Sequence, residues 1–264
     1  MKTNSGNKAG NRPAGPGRKA QAVPPVRIDP KSKPSLVSRL RRWFSLRNLV
    51  IAVIVAGLVP ASLGLLYRAA FVHPVSTPML ARWASLQRVD RRWIAIDDIS
   101  PVLVHSVIMS EDGQFCRHRG VDWAELNAVI SDALEGEKAR GASTIPMQTA
   151  KNLFLWNGRS YFRKSLEIPL AIYLDGVLSK KRLMEIYLNI AEWDEGVFGV
   201  EAAAQRYFGR SAGKLSARQA ALLTVTLPNP AERNPARPSA GLNRLANLIE
   251  RRAAKAGGYV FCVK

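Results

Sequence analysis

The sequence predicts a mainly α-helical domain carried behind a single N-terminal membrane-spanning helix. Three observations support that class. The run Leu49–Leu66 is eighteen residues long, carries no charge and is flanked by Arg47 and Arg68. From Ile96 onward, apolar residues recur at helical spacing behind repeated N-capping signals. Strand-like pairing is hinted at only in a short stretch near Gly196–Val200.

The net charge of +19 is unevenly placed. Residues 1–47 hold twelve Lys/Arg and one acid, Asp29, for +11, whereas the other 27 basic and 19 acidic residues give +8 over a much longer segment. Residues 1–48 therefore read as a basic cytoplasmic tail. Its first 36 residues are rich in Gly, Pro, Lys and Ser and predict disorder; residues 37–47 are a short basic amphipathic lead-in. Residues 49–67 are the span. Eighteen residues at a rise of about 1.5 Å cover about 27 Å, against a hydrocarbon thickness of roughly 30 Å. A bilayer tolerates Gly57 and Pro60. The long leader and the lack of a small-x-small site after Leu66 argue against a cleaved signal peptide. Positive flanks stay cytoplasmic, so the expected placement is single-pass in a bacterial inner membrane, with residues 68–240 folded on the periplasmic side. The tail has no Phe, Trp or Tyr before residue 37 for base stacking, and its charge lies across the membrane from the folded domain; both argue against nucleic acid.

Residues 67–95 read as a stem that packs on the domain. Ser100-Pro101 starts a helix in which Val104, Val107, Ile108 and Glu111 share a face. Glu111 thus emerges at the end of an apolar stripe, where partial burial raises a carboxyl pKa toward that of a useful base. A second helix is expected over Asp122–Leu134, then a mobile loop at Gly136–Gly141. Ser143-Thr144 followed by Pro146 opens the next helix; its free N–H groups suit an anion, or simply mark a capped helix with exposed polar residues. Around Tyr161–Val177 the apolar face continues from Glu167, Arg163 stands four residues before it at ion-pair spacing, and Pro169 predicts a kink. Ser179 caps a helix with Leu183, Ile186, Tyr187 and Ile190 inward, and Ser216-x-x-Gln219 is a capping-box spacing. Residues 241–264 read as a basic, peripheral terminal helix and tail. Cys116 and Cys262 have no metal-ligand spacing, and sequence leaves open whether they meet as a disulfide. With three His in the chain, no metal site is expected.

Two glutamates, Glu111 and Glu167, bracket a cationic set of Lys151, Arg159, Arg163 and Lys164. Paired carboxylates around such a set suit proton transfer coupled to departure of an anion, which points to a sugar carrying a phosphate-type leaving group.

Several stretches sharpen this: Glu111-Asp112-x-x-Phe115-x-x-His118-x-Gly120, Gly141-x-Ser143-Thr144-Ile145-x-x-Gln148, Lys151-Asn152-Leu153-Phe154-Leu155, Arg163-Lys164-x-x-Glu167 and Lys180-Lys181-Arg182-Leu183-x-Glu185-x-Tyr187-Leu188-Asn189, followed by Gly199–Ala204 and Tyr207-Phe208-Gly209. In order and spacing they resemble glycosyltransferase family 51, and within it the monofunctional biosynthetic peptidoglycan transglycosylases, over roughly residues 85–235. The resemblance implies a lysozyme-like helical glycosyltransferase domain that polymerises lipid II into glycan strands and releases undecaprenyl pyrophosphate. It implies Glu111 as the general base, Lys151 and Arg159 as neutralisers of the pyrophosphate, and Glu167 as the second glutamate, for positioning, electrostatic stabilisation or metal contact. Ser143, Thr144 and Gln148 line the donor phosphate region on this reading, with Asn152, Arg163 and Lys164 beside them. Phe115 and His118 shape the loop around Glu111, and Asp112 either orients substrate or caps a turn. No cofactor is required; Mg²⁺ or Mn²⁺ shared with the pyrophosphate is compatible. The implied partners are lipid II, the growing glycan, the inner membrane and, as candidates, cell-division or wall-synthesis proteins.

The sequence departs from the family pattern at Met147, where a glutamine is usual and donor binding is at stake, at Asp175, where Glu is usual, and at Trp193–Gly196. The Ser-x-x-Lys spacings at Ser5/Lys8 and Ser211/Lys214 read as chance, so no cross-linking activity is expected. A lytic hydrolase would use one principal glutamate without needing the cations, and a non-catalytic scaffold would not need to retain the Glu and Lys positions. Trp83, Trp93 and Trp123 either seat the domain at the membrane interface or fill the core.

Overall fold

A computed structural model describes residues 46–136, 141–158 and 160–264. The readings above for the tail, for the middle of the Gly136–Gly141 loop and for Arg159 lie outside the described residues. The chain divides into Met1–Val50 and Ile51–Lys264; the contacts below belong to the second unit.

Helix α1, Leu46–Leu66, continues through Pro60. Its 21 residues span about 31 Å, and among the described residues it is the one helix long and apolar enough to cross a membrane. Its side chains stay largely exposed, Val53 at 64% and Leu58 at 62%. A buried core helix would be covered by protein; this apolar surface is left uncovered, as a helix suited to cross a membrane would be. Only its C-terminal end docks. Leu63 and Tyr67 join the core, the Tyr173 hydroxyl donates to the Ala61 carbonyl, and a Cβ at Gly64 would lie 2.5 Å from the Tyr173 ring.

The stem packs on the domain, as its sequence predicts. Ser76 caps α2 (Thr77–Ala84) and Met79 is fully buried. Asp90–Arg91 forms β1. The helices that follow are α3 (Pro101–Glu111), α4 (Trp123–Leu134), α5 (Ile145–Phe154), α6 (Tyr161–Val177) and α7 (Lys180–Ile190). Pro169 does not end α6. Strands β2 (Glu192–Asp194) and β3 (Val197–Phe198) form an antiparallel pair, with β1 parallel to β3 on the other side. The pairing expected near Gly196–Val200 is therefore present, but its partner β1 comes from the stem. Helices α8 (Val200–Phe208), α9 (Ala217–Thr224) and α10 (Ala240–Ala254) complete the domain. Ser216 and Gln219 close a full capping box.

Helix α7 is the hub. From Arg182 to Ile190 every residue is buried, polar ones included. Buried polar groups survive only when satisfied, and here they tie down the stem. Arg182 donates to the carbonyls of Tyr67 (2.9 Å), Ala69 (3.0 Å) and Val72 and pairs with Glu185. Glu185 accepts from the Ile96 N–H at 3.1 Å, and Asn189 brackets the Ile94 peptide with two 2.9 Å bonds.

One expectation is overturned. Helix α10 is not peripheral: Leu242, Ala246, Ile249 and Ala253 form a buried stripe packed against α3 and α9. Beyond it, Ala256 and Val260 are fully buried, and Cys262 is disulfide-bonded to Cys116, closing 146 residues of chain.

Candidate active site

Glu111 closes α3, and the chain turns sharply at Asp112. The half-buried Glu111 carboxylate accepts from Ser110 Oγ at 3.2 Å and from Gln148 Nε2, on α5, at 3.2 Å. Gln148 is itself fixed from behind: the fully buried Tyr187 hydroxyl, on α7, donates to its Oε1 at 3.1 Å. With Oε1 taken, Nε2 faces Glu111. Burial pushes the Glu111 pKa above the ordinary carboxylate value; the Gln148 and Ser110 hydrogen bonds and Arg233 pull the other way without cancelling it. A carboxylate held in this state is a better proton acceptor than an exposed one.

Lys151 lies one turn beyond Gln148 on α5, within electrostatic reach of both glutamates. Burial lowers its pKa, opposed by Glu167 and reinforced by Arg163 and Lys164. On α6, Arg163 pairs with Glu167 within the helix, and Lys164 Nζ reaches Ser143 Oγ at 3.2 Å. The Glu167 carboxyl is buried; desolvation raises its pKa, offset in part by Arg163, Lys151 and Lys164. The intrahelical ion pair read from spacing is therefore real, and it sits inside the cationic set. Asn152 is half-buried on the same helix as Lys151, its carbonyl taken by Thr77 Oγ1.

Other predicted site residues build the loop instead. Both Asp112 oxygens lie 2.9 Å from His118 Nε2, and Oδ2 also accepts the Ile145 N–H at 2.9 Å, so Asp112 pins the Glu111 loop to the start of α5. Thr144 caps α5 through Met147 N–H and donates to the Gly120 carbonyl at 2.6 Å. Gly120 has a φ of +82°, and a Cβ there would meet the Ile172 backbone at 2.7 Å. Phe115, expected to shape the loop around Glu111, is fully buried. So is Met147, whose complete burial removes it from any effect on donor binding through contact. Asp175 pairs with Lys180 at 2.6 Å. Trp93 stacks on His73 at 4.4 Å between centroids, while Trp83 and Trp123 are exposed.

Two hollows adjoin these residues. A polar cavity of 440 Å³ beside Glu111 is lined by Gln114, Asp122, Glu125, Ser143, Arg252 and Tyr259, among others. An apolar groove of 760 Å³ lies between α1 (Val55, Val59, Leu63) and α5–α6 (Phe154, Leu170, Tyr173). Sequence reasoning missed Tyr187 as a partner of the site, and missed Arg233, Arg252 and Tyr259 altogether. The tyrosine was visible as an inward helical position; the other three carried no signal.

Residues 78–254 match the family model described as Transglycosylase. The chain belongs to this transglycosylase family. Its relatives include proteins named "Biosynthetic peptidoglycan transglycosylase". The protein from Mesorhizobium japonicum is 62% identical over 226 residues, 85% of this chain and 95% of its own. That from Rhizobium meliloti is 58% identical over 224 residues, 84% and 95%. That from Brucella suis is 60% identical over 212 residues, 80% and 95%. For this transglycosylase, Glu111, Gln148, Lys151, Lys164 and Glu167 converge from α3, α5 and α6, the helices on which their motifs fall.

Proposed function

We propose that the protein is a peptidoglycan glycosyltransferase that polymerises lipid II into glycan strands at the outer face of the inner membrane. The observation that carries this reading is a half-buried glutamate with a raised pKa, Glu111, oriented by Gln148 and placed across from Lys151 and the Lys164–Arg163–Glu167 cluster, in a chain of the transglycosylase family.

In the reaction, the acceptor sugar's 4-hydroxyl attacks the anomeric carbon of the donor. Glu111 takes the hydroxyl proton as the new C–O bond forms. The bond from the anomeric carbon to the pyrophosphate oxygen breaks, and the lipid pyrophosphate leaves with the electron pair. Lys151, Arg159 and Lys164 meet that negative charge, and Glu167 holds Arg163 in the patch. Ser143, Gln148 and Asn152 border the donor. Among the described residues no group of three or more His, Cys, Asp or Glu is placed to hold a metal; Mg²⁺ or Mn²⁺ enters this reading as an ion shared with the pyrophosphate. The apolar groove against α1 supports a lipid-linked donor, because it offers an isoprenoid tail cover along α5 and α6, the helices that also carry Lys151 and Lys164.

The disulfide supports a periplasmic domain, since such bonds persist in oxidising compartments, and the basic tail supports a cytoplasmic N-terminus. On this reading the enzyme makes glycan without cross-linking it and works beside other wall-synthesis or division proteins. The test is incubation of the purified protein and Glu111→Gln with labelled lipid II, with products run on a gel beside lysozyme-digested controls. Lysozyme-sensitive polymer from the wild type alone is expected. Cleavage of preformed glycan without polymer would mean a lytic enzyme, and inactivity in both assays a scaffold.

A further inference from the structure

The loop that leaves Glu111 is held by hydrogen bonds at both ends and by a covalent bond in between. At its start, Asp112 accepts the Ile145 N–H at 2.9 Å and faces His118 Nε2 at the same distance. At its end, Thr144 Oγ1 donates to the Gly120 carbonyl at 2.6 Å. Between these ties the half-buried Cys116 is bonded to Cys262, itself half-buried. Cys262 lies beyond residue 254, where the family match ends, so the bond reaches outside the matched domain. The segment that carries it forms only the short 3-10 turns Gly257–Tyr259 and Phe261–Val263. Its grip on the domain is small: the Ala256 and Val260 side chains enter the core that also holds Ile108 and Phe115, and Phe261–Val263 rests against α7.

We propose that Cys116–Cys262 is a redox modification site that controls turnover. The oxidised pair holds the Glu111 loop in its working form, and a dithiol reagent, by opening the pair, converts the enzyme to a slow form in which residues 255–264 are released. The inference rests on the transferase reading above and adds a control to it.

The local geometry decides which sulfur reacts. The Cys262 N–H donates to Cys116 Sγ at 3.3 Å, a contact that stabilises negative charge on Cys116 and makes it the better leaving group. A thiolate of the reagent therefore attacks Cys262 Sγ. A mixed disulfide forms, and Cys116 leaves with the electron pair and takes up a proton. The reagent's second thiolate then displaces Cys262, which also gains a proton, so two electrons pass from dithiol to protein and the reagent departs as a disulfide. Exchange with an oxidised reagent reverses both steps. Once the bond is cut, the tail is a free chain end, and terminal segments with few buried contacts open without global unfolding. Helix α10 stays in place, because Leu242, Ala246 and Ile249 pack in a separate cluster. The Arg117 guanidinium, 5.1 Å from the centre of the Tyr259 ring, also joins loop to tail, so that contact is lost with the tail. The loop then keeps its end ties but not its middle one, five residues after Glu111. A base displaced by about 1 Å can lose about 100-fold in rate.

The test uses the full-length protein in detergent, below the melting transition of its reduced form. Initial rates of polymer formation from labelled lipid II are measured for the oxidised wild type, for the same protein after dithiothreitol, after reoxidation with oxidised glutathione, and for the double variant Cys116→Ser, Cys262→Ser. Thiol labelling reads the state of the pair, and hydrogen exchange reads opening of residues 112–120 and 255–264. The expected result is a fall in kcat of about tenfold or more on reduction and recovery on reoxidation. The double variant holds the reduced rate and ignores the reductant, and faster exchange is confined to the two segments. Because burial sustains the raised pKa of Glu111, the loosened loop also moves the acid limb of kcat/KM to lower pH. A pair that dithiothreitol cannot open in the folded protein overturns the proposal, as does a reduced protein with the wild-type rate. Loss of rate with an unmoved acid limb, or with exchange spread through α7 and α10, overturns it too, because the bond would then only support the fold. An oxidised wild type that makes no polymer removes the transferase reading itself, and this control with it.

Discussion

The hydrogen bond from Gln148 to Glu111 gives a quantitative handle on the base. Replacing Gln148 with leucine keeps the volume and removes the donor. That bond favours the charged carboxylate, so its loss moves the Glu111 pKa further up from a value burial has already raised. Hydrogen bonds to charged groups contribute about 1.5–3 kcal/mol, and one pKa unit corresponds to about 1.4 kcal/mol. At 3.2 Å and half-buried, the Gln148 bond belongs at the weak end, so the expected shift is about one unit. The assay is kcat/KM for polymer formation from labelled lipid II across about pH 5–9, whose acid limb reports the base in the free enzyme. Gln148→Leu should displace that limb upward by about one unit, losing close to tenfold on the limb and recovering toward the wild-type plateau at alkaline pH. Tyr187→Phe leaves the amide in place but frees it to rotate, so it should move the limb the same way by less. An unmoved limb with a lowered plateau would refute the reasoning, because Gln148 would then act on the substrate rather than on the base.

Three further outcomes follow from the same geometry. Glu111→Gln abolishes polymerisation yet raises the melting temperature near neutral pH. A carboxyl whose folded pKa is raised costs stability once pH exceeds that pKa, and the difference from wild type should vanish below the ordinary carboxylate pKa, where Glu111 is protonated folded or unfolded; calorimetry against pH reads this directly. Lys151→Met lowers kcat by about 10²–10³-fold, the scale for losing one preorganised charge at a developing anion, measured under saturating lipid II. Cys116→Ser loses the cross-link over 146 residues, which costs about 2–5 kcal/mol and lowers the melting temperature by about 2–4 °C per kcal/mol; a reductant destabilises the wild type by a similar amount and leaves the variant unchanged.

Much of this site is local chemistry, which is why sequence carried it so far. Glu111 ends an apolar stripe, and Lys151, Lys164 and Glu167 fall at helical spacings, so their faces follow from periodicity alone. Of the caps read from sequence, Thr144, Ser179 and Ser216 each accept the backbone N–H three residues on, whereas Ser100 starts its helix without a side-chain cap bond. What escaped depends on contacts between distant segments. Nothing local distinguishes Tyr259 or Arg252 from residues of a peripheral tail until Cys262 meets Cys116. Gln148 was readable as a polar helix residue, but whether its amide faces phosphate or Glu111 is set by Tyr187, thirty-nine residues on. Met147 shows the converse error: a position inside a motif invites a role in donor binding, whereas its complete burial assigns it to packing. The basic charge of α10 obscured a stripe of Leu242, Ala246, Ile249 and Ala253 that periodicity displays plainly.

The segment Lys180–Asn189 explains why a motif can be rich in polar residues yet hold no reacting group. Burying Arg182 and Glu185 carries a desolvation cost that their mutual attraction alone does not reliably offset. Their arrangement makes sense through what else they bind. Arg182 gathers three carbonyls from the segment that follows α1, Glu185 and Asn189 hold the stem at Ile96 and Ile94, and Tyr187, on the same helix, reaches Gln148 and so Glu111. Between Arg182 and Tyr187 the helix rises only about 7.5 Å. One buried helix therefore fixes both the turn that leaves α1 and the orientation of the base. If α1 anchors the enzyme as the proposed function requires, the position of the base relative to that anchor is set by the same element that sets its hydrogen bonding, and that element is α7.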